Sequence, residues 1–299
     1  MEYQDYGPVR WKLLIGQNPG PTERKAVCML YGMIRTYLPY ILTVCDHPEE
    51  ITGNDHMICI GTLEGNGELA RLAAAGVYEP EKRKEGYAIR VLPSAARPGR
   101  TDVIIQGADP VGVLYGVSEF EHAYLDDVLK YHGYHYEDRL RPFIDPCPAF
   151  SCRGAPAIVN RGLWTWGHKI YDYRGYLDNM ARCRLNLLVM WNDSVPLNAR
   201  EIVEYAHING IRVIWGFTCA WGEDVRVHPT DPEEVERWGR HVVEVYEREY
   251  LPVGGDGVYF QAFTERREQT IDGVPVARLI TGWINRIAEL MHTAYPGSA

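Results

Sequence analysis

Carboxylates, tryptophans and one amide gather in this sequence where apolar runs end. Asn186-Leu-Leu-Val-Met190 is followed by Trp191-Asn192-Asp193, Ile211–Phe217 by Trp221 and Glu223, and Gly257–Phe263 by Thr264-Glu265. A carboxyl group at such a place can give or take a proton from a bound substrate, and a pair of them can divide the acid and base roles. The run Arg161-Gly-Leu-Trp-Thr-Trp-Gly-His168 adds Trp164 and Trp166, lacks hydrophobic periodicity, and reads as a loop. Sugars offer flat C–H faces beside hydroxyls, which aromatic rings and planar polar side chains respectively fit. Trp164, Trp166, Trp191, Trp221 and Asn192 match those needs. Each residue also has a plainer reading: Asp193 stands before Ser194 and Pro196 as a turn former would, and tryptophans at strand ends often pack.

The elements that must hold these residues follow from periodicity. Trp11–Ile15 and Met57–Ile60 read as strands, and the spacing of Glu23–Tyr40 predicts a helix between them. Gly86–Leu92 and Thr101–Gln106 flank a loop with Pro93, Pro98 and Gly99, which predicts an antiparallel hairpin, followed by a helix from about Gly112 to Leu129. Pro142, Pro146 and Pro148 then deny helix and mark a boundary. Beyond it strand and helix alternate: a strand near Phe150–Val159, a helix near Tyr173–Cys183, the strand ending at Met190, and a helix Ala199–Asn209. The strand Ile211–Phe217, a helix Pro232–Tyr250, the strand Gly257–Phe263 and a helix Val276–Tyr295 follow. Apolar strands each followed by an amphipathic helix imply parallel strands covered by helices, as in a barrel or a doubly wound sheet. Gly61-Thr-Leu-Glu-Gly-Asn-Gly67 matches neither the dinucleotide fingerprint nor the P-loop and reads as a turn.

Composition removes several classes of function. The 299 residues carry a formal charge of −9, with 31 basic and 40 acidic residues spread along the chain, so neither nucleic acid nor an anionic membrane is an expected partner. A neutral or polar small molecule fits better. Seven cysteines form no CxxC pair and read as reduced thiols of a cytoplasmic protein. No basic-then-apolar leader opens the chain, and no apolar run reaches the ~18 residues of a membrane span. The ten histidines contain no HExxH, and His168, His207 and His228 read as solvated or packing residues, so neither metal nor cofactor is expected.

Several segments resemble two families of glycoside hydrolases, families 20 and 67, the hexosaminidases and α-glucuronidases. Glu85-Gly-Tyr-Ala-Ile-Arg90 and Ile105-Gln-Gly-Ala-Asp-Pro-Val-Gly-Val-Leu-Tyr-Gly-Val-Ser-Glu-Phe120 are similar to the hairpin and closing helix of their accessory domain. Phe150-Ser-Cys-Arg-Gly154, Asp178–Asn186 and Glu201–Val213 are similar to early barrel elements. The resemblance implies an α/β chain: a small α+β N-terminal domain over residues 1–145, then a partial, four-unit TIM barrel over 150–299. It implies a general acid just after the fourth strand, which is Glu265, and a sugar-holding arginine on the first strand, Arg153 or alternatively Arg161. Thr264 stands where hexosaminidases place an aspartate, and Gly216-Phe217 where they place a Pro-Glu pair, so an α-glucuronidase-like or other glycosidase activity fits better.

The expected function is cleavage of O-glycosidic bonds in oligosaccharides. Arg153, Arg161, Trp164, Trp166, Trp191, Asn192, Asp193 and Trp221 would bind a carbohydrate substrate. Glycosidic cleavage needs two carboxyl groups. Asp193 is one candidate partner for Glu265, and the resemblance puts the partner on later strands. A closed barrel needs eight strands, so the chain is expected either to continue past Ala299 or to pair as a homo-oligomer. The alternatives are a non-catalytic sugar-binding remnant or a half barrel associated with another chain.

Overall fold

The structure, a computed structural model, describes residues 10–37, 42–127, 147–166, 170–192, 194–217, 228–260 and 268–296. The chain divides into two compact units. The first comprises Met1–Val159, Ala181–Arg184 and Ile208–Gly210; the second comprises Asn160–Met180, Leu185–His207 and Ile211–Ala299.

The first unit is built on a six-stranded sheet. Its strands are β1 (Arg10–Leu14), β2 (Leu42–Cys45), β3 (Asp55–Thr62), β4 (Tyr87–Pro93), β5 (Thr101–Gly107) and β6 (Phe150–Gly154), in the order β2-β1-β3-β5-β4-β6. The pairs among β2, β1, β3 and β5 are parallel, whereas β4 runs antiparallel to both β5 and β6. Three helices accompany the sheet: α1 (Pro21–Tyr37), α2 (Gly67–Ala74) and α3 (Pro110–Glu119), the last continuing into a π-helical turn at Phe120–Asp126. Ala26, Leu30 and Ile34 of α1 and Val113, Leu114 and Val117 of α3 pack with Trp11, Leu13, Ile58 and Ile105. Leu69 and Leu72 of α2 pack instead with Leu14, Met57, Cys59 and Ile104. Alternate residues of β1 and β3 thus serve opposite faces, the period-2 pattern of a strand covered on both sides.

The hairpin expected from the sequence is β4–β5. The strand expected at Phe150 also exists, but it pairs with β4, Val91 against Phe150 through Tyr87 against Gly154, and so closes the first sheet rather than opening the second. Length and apolar content mark a strand without saying which edge it joins.

The second unit holds a four-stranded parallel sheet in the order β10-β9-β8-β7, formed by β7 (Gly162–Trp166), β8 (Leu187–Trp191), β9 (Arg212–Phe217) and β10 (Gly257–Phe260). The segment expected as a loop around Trp164 is therefore a strand. Helices α4 (Tyr173–Arg182), α5 (Ala199–Ile208), α6 (Pro232–Val245) and α7 (Val276–Ala294) alternate with these strands. Their apolar stripes bury Leu177, Ile202, Val203, Ala206, Trp238, Val242 and Ile287 against Leu188, Met190, Val213 and Trp215 of one sheet face. Among the described residues no closed barrel is present.

Candidate functional site

The opposite face of the second sheet carries aromatic rings. Strand register aligns Trp164 with Val189 and Trp166 with Trp191, then Trp191 with Gly216 and Gly216 with Tyr259. These residues share one face, and the intervening Leu188, Met190, Val213 and Trp215 serve the helix-covered face. The indole of Trp166 stacks on that of Trp191 at 5.3 Å and 9°. Trp164 meets Trp166 edge-on at 5.2 Å and Tyr259 at 4.7 Å. Trp164 and Tyr259 lie on the two outer strands, which in a flat sheet stand roughly 14 Å apart (three spacings of about 4.8 Å). Their rings meet because the sheet curls, so the cluster lines its concave side.

Gly216 makes this cluster possible. A Cβ placed there would stand 2.7 Å from Cε3 of Trp191, closer than atoms tolerate. Without it, the Trp191 ring folds over the glycine and comes within 6.4 Å of Tyr259. Trp191 is only 7% exposed, whereas Trp164 and Trp166 remain 46% and 49% exposed. The cluster therefore has a buried floor and two accessible rings, the arrangement in which an aromatic face still has surface left to give a ligand.

Asn192 follows β8 at the carboxyl end of the sheet, beside Trp166 and Trp191, and its backbone N–H donates to the Gly216 carbonyl at 3.4 Å. In parallel α/β folds ligands gather at that end. Arg161 lies at the other end. It precedes β7, its N–H donates to Asn186 Oδ1 at 2.9 Å, and its carbonyl accepts from the Asn186 and Leu187 amides. The length of β7 puts roughly 16 Å between it and Asn192 (five residues at about 3.3 Å each). Arg153 sits in the first unit, on edge strand β6, where its guanidinium bonds Glu79 at 2.5 Å and lies 3.9 Å from Glu81. That follows from β6 joining the first sheet. Thus the structure brings Trp164, Trp166, Trp191 and Asn192 together on the second sheet, places Arg161 at that sheet's other end, and puts Arg153 in the first unit. Asp193, Trp221, Glu223, Thr264 and Glu265 lie outside the described residues.

Tyr259 belongs to the cluster although it is not among the residues expected from the sequence, and Gly216, which stood out only where hexosaminidases place a Pro-Glu pair, proves to be part of its floor. A signal existed for Tyr259: in Gly257-Val-Tyr-Phe260, Val258 and Phe260 pack toward the helices, which sends Tyr259 to the other face. Among the described residues no group of three or more His, Cys, Asp or Glu side chains is placed to hold a metal ion, and no helix is long and apolar enough to cross a membrane.

No family model and no curated protein matches the chain. Among solved structures the chain is similar to a GH20 exo-β-N-acetylglucosaminidase from Vibrio harveyi, solved in complex with N-acetylglucosamine. The TM-score is 0.46 and the sequence identity 9%, over 94% of this chain and 47% of that one. The chain thus spans about half the length of that enzyme.

Proposed function

We propose that the second unit takes a carbohydrate on its concave aromatic face and that the protein cleaves glycosidic bonds there, with Glu265 as general acid. The observation that carries this reading is the four-ring cluster at the concave face, with Trp164 and Trp166 still half exposed and Asn192 at the carboxyl end of the same sheet. A pyranose laid on the two open indoles would bury its C–H face, while Asn192 supplies both a donor and an acceptor for hydroxyls. Glu265 is assigned from its place after β10 in the sequence, where a carboxylic acid can protonate a leaving glycosidic oxygen. A second carboxylate must attack the sugar or activate water. Asp193, after β8, is one candidate, and strands of a completed (β/α)8 barrel are the other source.

The test measures oligosaccharide binding by calorimetry and hydrolysis of aryl glycosides, including an aryl α-glucuronide and an aryl N-acetyl-β-glucosaminide. Trp166→Ala should weaken binding about tenfold, corresponding to ~1.4 kcal/mol of lost stacking. Glu265→Gln should leave binding intact and lower kcat by roughly 10² to 10⁴. Binding that ignores Trp166→Ala would sink the sugar platform. Turnover that ignores Glu265→Gln, or binding with no turnover in either protein, would sink the hydrolase reading.

A further inference from the structure

A large cavity lies in the first unit, in a part of the fold that the proposed sugar platform does not use. About 1190 Å³ of space opens where the parallel strands β1, β3 and β5 end, between the loop Gly16–Gly20 and the glycine-rich loop Gly61–Gly67. The place has a topological reason. From β1 the chain passes through α1 to β2 on one side; from β3 it passes through α2 toward β4 and β5 on the other. Because α1 and α2 pack with different core clusters, the two loops part between β1 and β3 and leave a crevice. Open parallel sheets bind their ligands at such switch points, beyond the carboxyl ends of the strands.

The two loops touch backbone to backbone at the floor. A Cβ on Gly16 would stand 2.3 Å from the Gly65 carbonyl oxygen, so only glycine allows that approach. Beside it sits Glu23, only 9% exposed. One carboxylate oxygen, Oε2, accepts from the Gly20 N–H at 3.2 Å. The other, Oε1, has no partner among the described residues and lies 3.4 Å from the place a Gly65 side chain would begin, facing the cavity that Glu23 and Gly65 both line. Three other carboxylates around the crevice are engaged. Glu68 binds Arg71 through both oxygens, Glu81 binds Arg83, and Asp109 accepts from the amides of Glu85 and Gly112.

Oε1 is open to the solvent of the crevice, where a ligand hydroxyl can replace water as its donor. The surrounding backbone supplies the opposite demand: α1, α2 and α3 all begin at this rim, and helix amino ends offer free N–H groups and positive potential that seek acceptors. A phosphate would meet Glu23 and Glu64, and a simple ammonium would meet three helix amino ends. Hydroxyl groups donate and accept at once, so they satisfy both.

We propose that this crevice is a binding site for a neutral polyhydroxylated small molecule, a sugar or cyclic polyol, held by Glu23. The site is independent of the aromatic face of the second unit. The test is saturation-transfer NMR on the intact chain with methyl β-D-glucopyranoside, methyl β-D-xylopyranoside and myo-inositol, with glucosamine and glucose 6-phosphate as charged arms. At least one neutral probe should bind and outcompete both charged ones. Glu23→Gln, which keeps an acceptor for Gly20 but replaces the free oxygen's role with a donor, should weaken that binding at least tenfold. Gly67→Phe should abolish it, since a Cβ at Gly67 meets nothing within 4 Å and the ring can fill the crevice without disturbing the core. Cooperative melting of both variants near the parent temperature verifies that they fold. Trp166→Ala should leave crevice binding unchanged. Failure of every neutral probe, preference for a charged arm, or insensitivity to both crevice variants overturns the proposal. Loss of binding in Trp166→Ala but not in Glu23→Gln assigns the sugar to the second unit and overturns the proposal while leaving the platform reading intact.

Discussion

At Gly216 a missing side chain shapes the aromatic face. The Trp191 ring occupies the space a Cβ would claim, and its stacking on Trp166 follows from that position. Gly216→Val is therefore expected to push the indole aside and destabilise the second unit by about 1 to 3 kcal/mol, the usual cost of overpacking a fitted site. Near-UV circular dichroism and a urea melt measure the two effects. An unchanged aromatic spectrum would mean that the rings do not depend on Gly216. The Cβ clash is invisible in the sequence, because it arises between β8 and β9. The tryptophans were legible as a set by residue type alone, but reading them as a loop missed their geometry. Gly-Leu-Trp-Thr-Trp lacks an apolar–polar alternation because both faces are used: Thr165 is buried while the neighbouring indoles line the concave side.

At the scale of elements, amphipathic spacing located α1, α4, α5 and α7 to within a few residues at their observed ends, and it found the starts of α3 and α6, whose expected lengths also take in the π-helical turns that follow them. The short strand β2, Leu-Thr-Val-Cys, and the single-face helix α2, Gly-Glu-Leu-Ala-Arg-Leu-Ala-Ala, escaped the reading. Four residues carry too little alternation to stand out, and the glycine-rich approach to α2 looks like a turn because it is one, ending in the Asn66 cap that accepts from the Glu68 amide. Sequence also could not choose the sheet for β6. Proline content puts a boundary before Cys147, yet β4 is paired on both sides only when β6 is present. A fragment ending at residue 145 should thus expose the N–H and C=O groups along one side of β4 and aggregate, whereas one ending at residue 159 should not. Light scattering of the two fragments at equal concentration decides it; equal solubility would mean that β6 does not protect that edge.

Across the whole molecule, two histidines give the units opposite responses to pH. In the first unit His56 is buried, stacks on Trp11 at 4.6 Å and accepts the Thr101 N–H on Nδ1 at 3.0 Å. Burial, aided by the charges of Arg100 and Arg97 and opposed by Asp55, lowers its pKa from 6.5 to about 4. The unfolded chain takes up that proton first, so the contribution of neutral His56 is complete above 6.5 and is lost as pH falls toward 4. The full loss is on the order of 3 kcal/mol. In the second unit the hydrogen bond from His207 to Asp256, 2.9 Å long, raises the histidine's pKa. Its contribution is complete below the ordinary histidine range and fades as pH rises through the raised value, and its exposure keeps it to about 1 kcal/mol or less. An NMR titration should place His56 near 4 and His207 above 6.5, with the first unit weakening first in acid. A His56 value near 6.5 would contradict the buried neutral ring. The return of β6 to β4 bears on a different moment in the protein's life. During synthesis β4 leaves the ribosome with one edge bare and waits for some sixty residues, Arg100 and the α3 helix among them, before its second neighbour arrives (roughly several seconds at 5–20 residues per second). For that interval the nascent chain carries an unpaired strand edge, and a chaperone that recognises extended backbone has its best opportunity there.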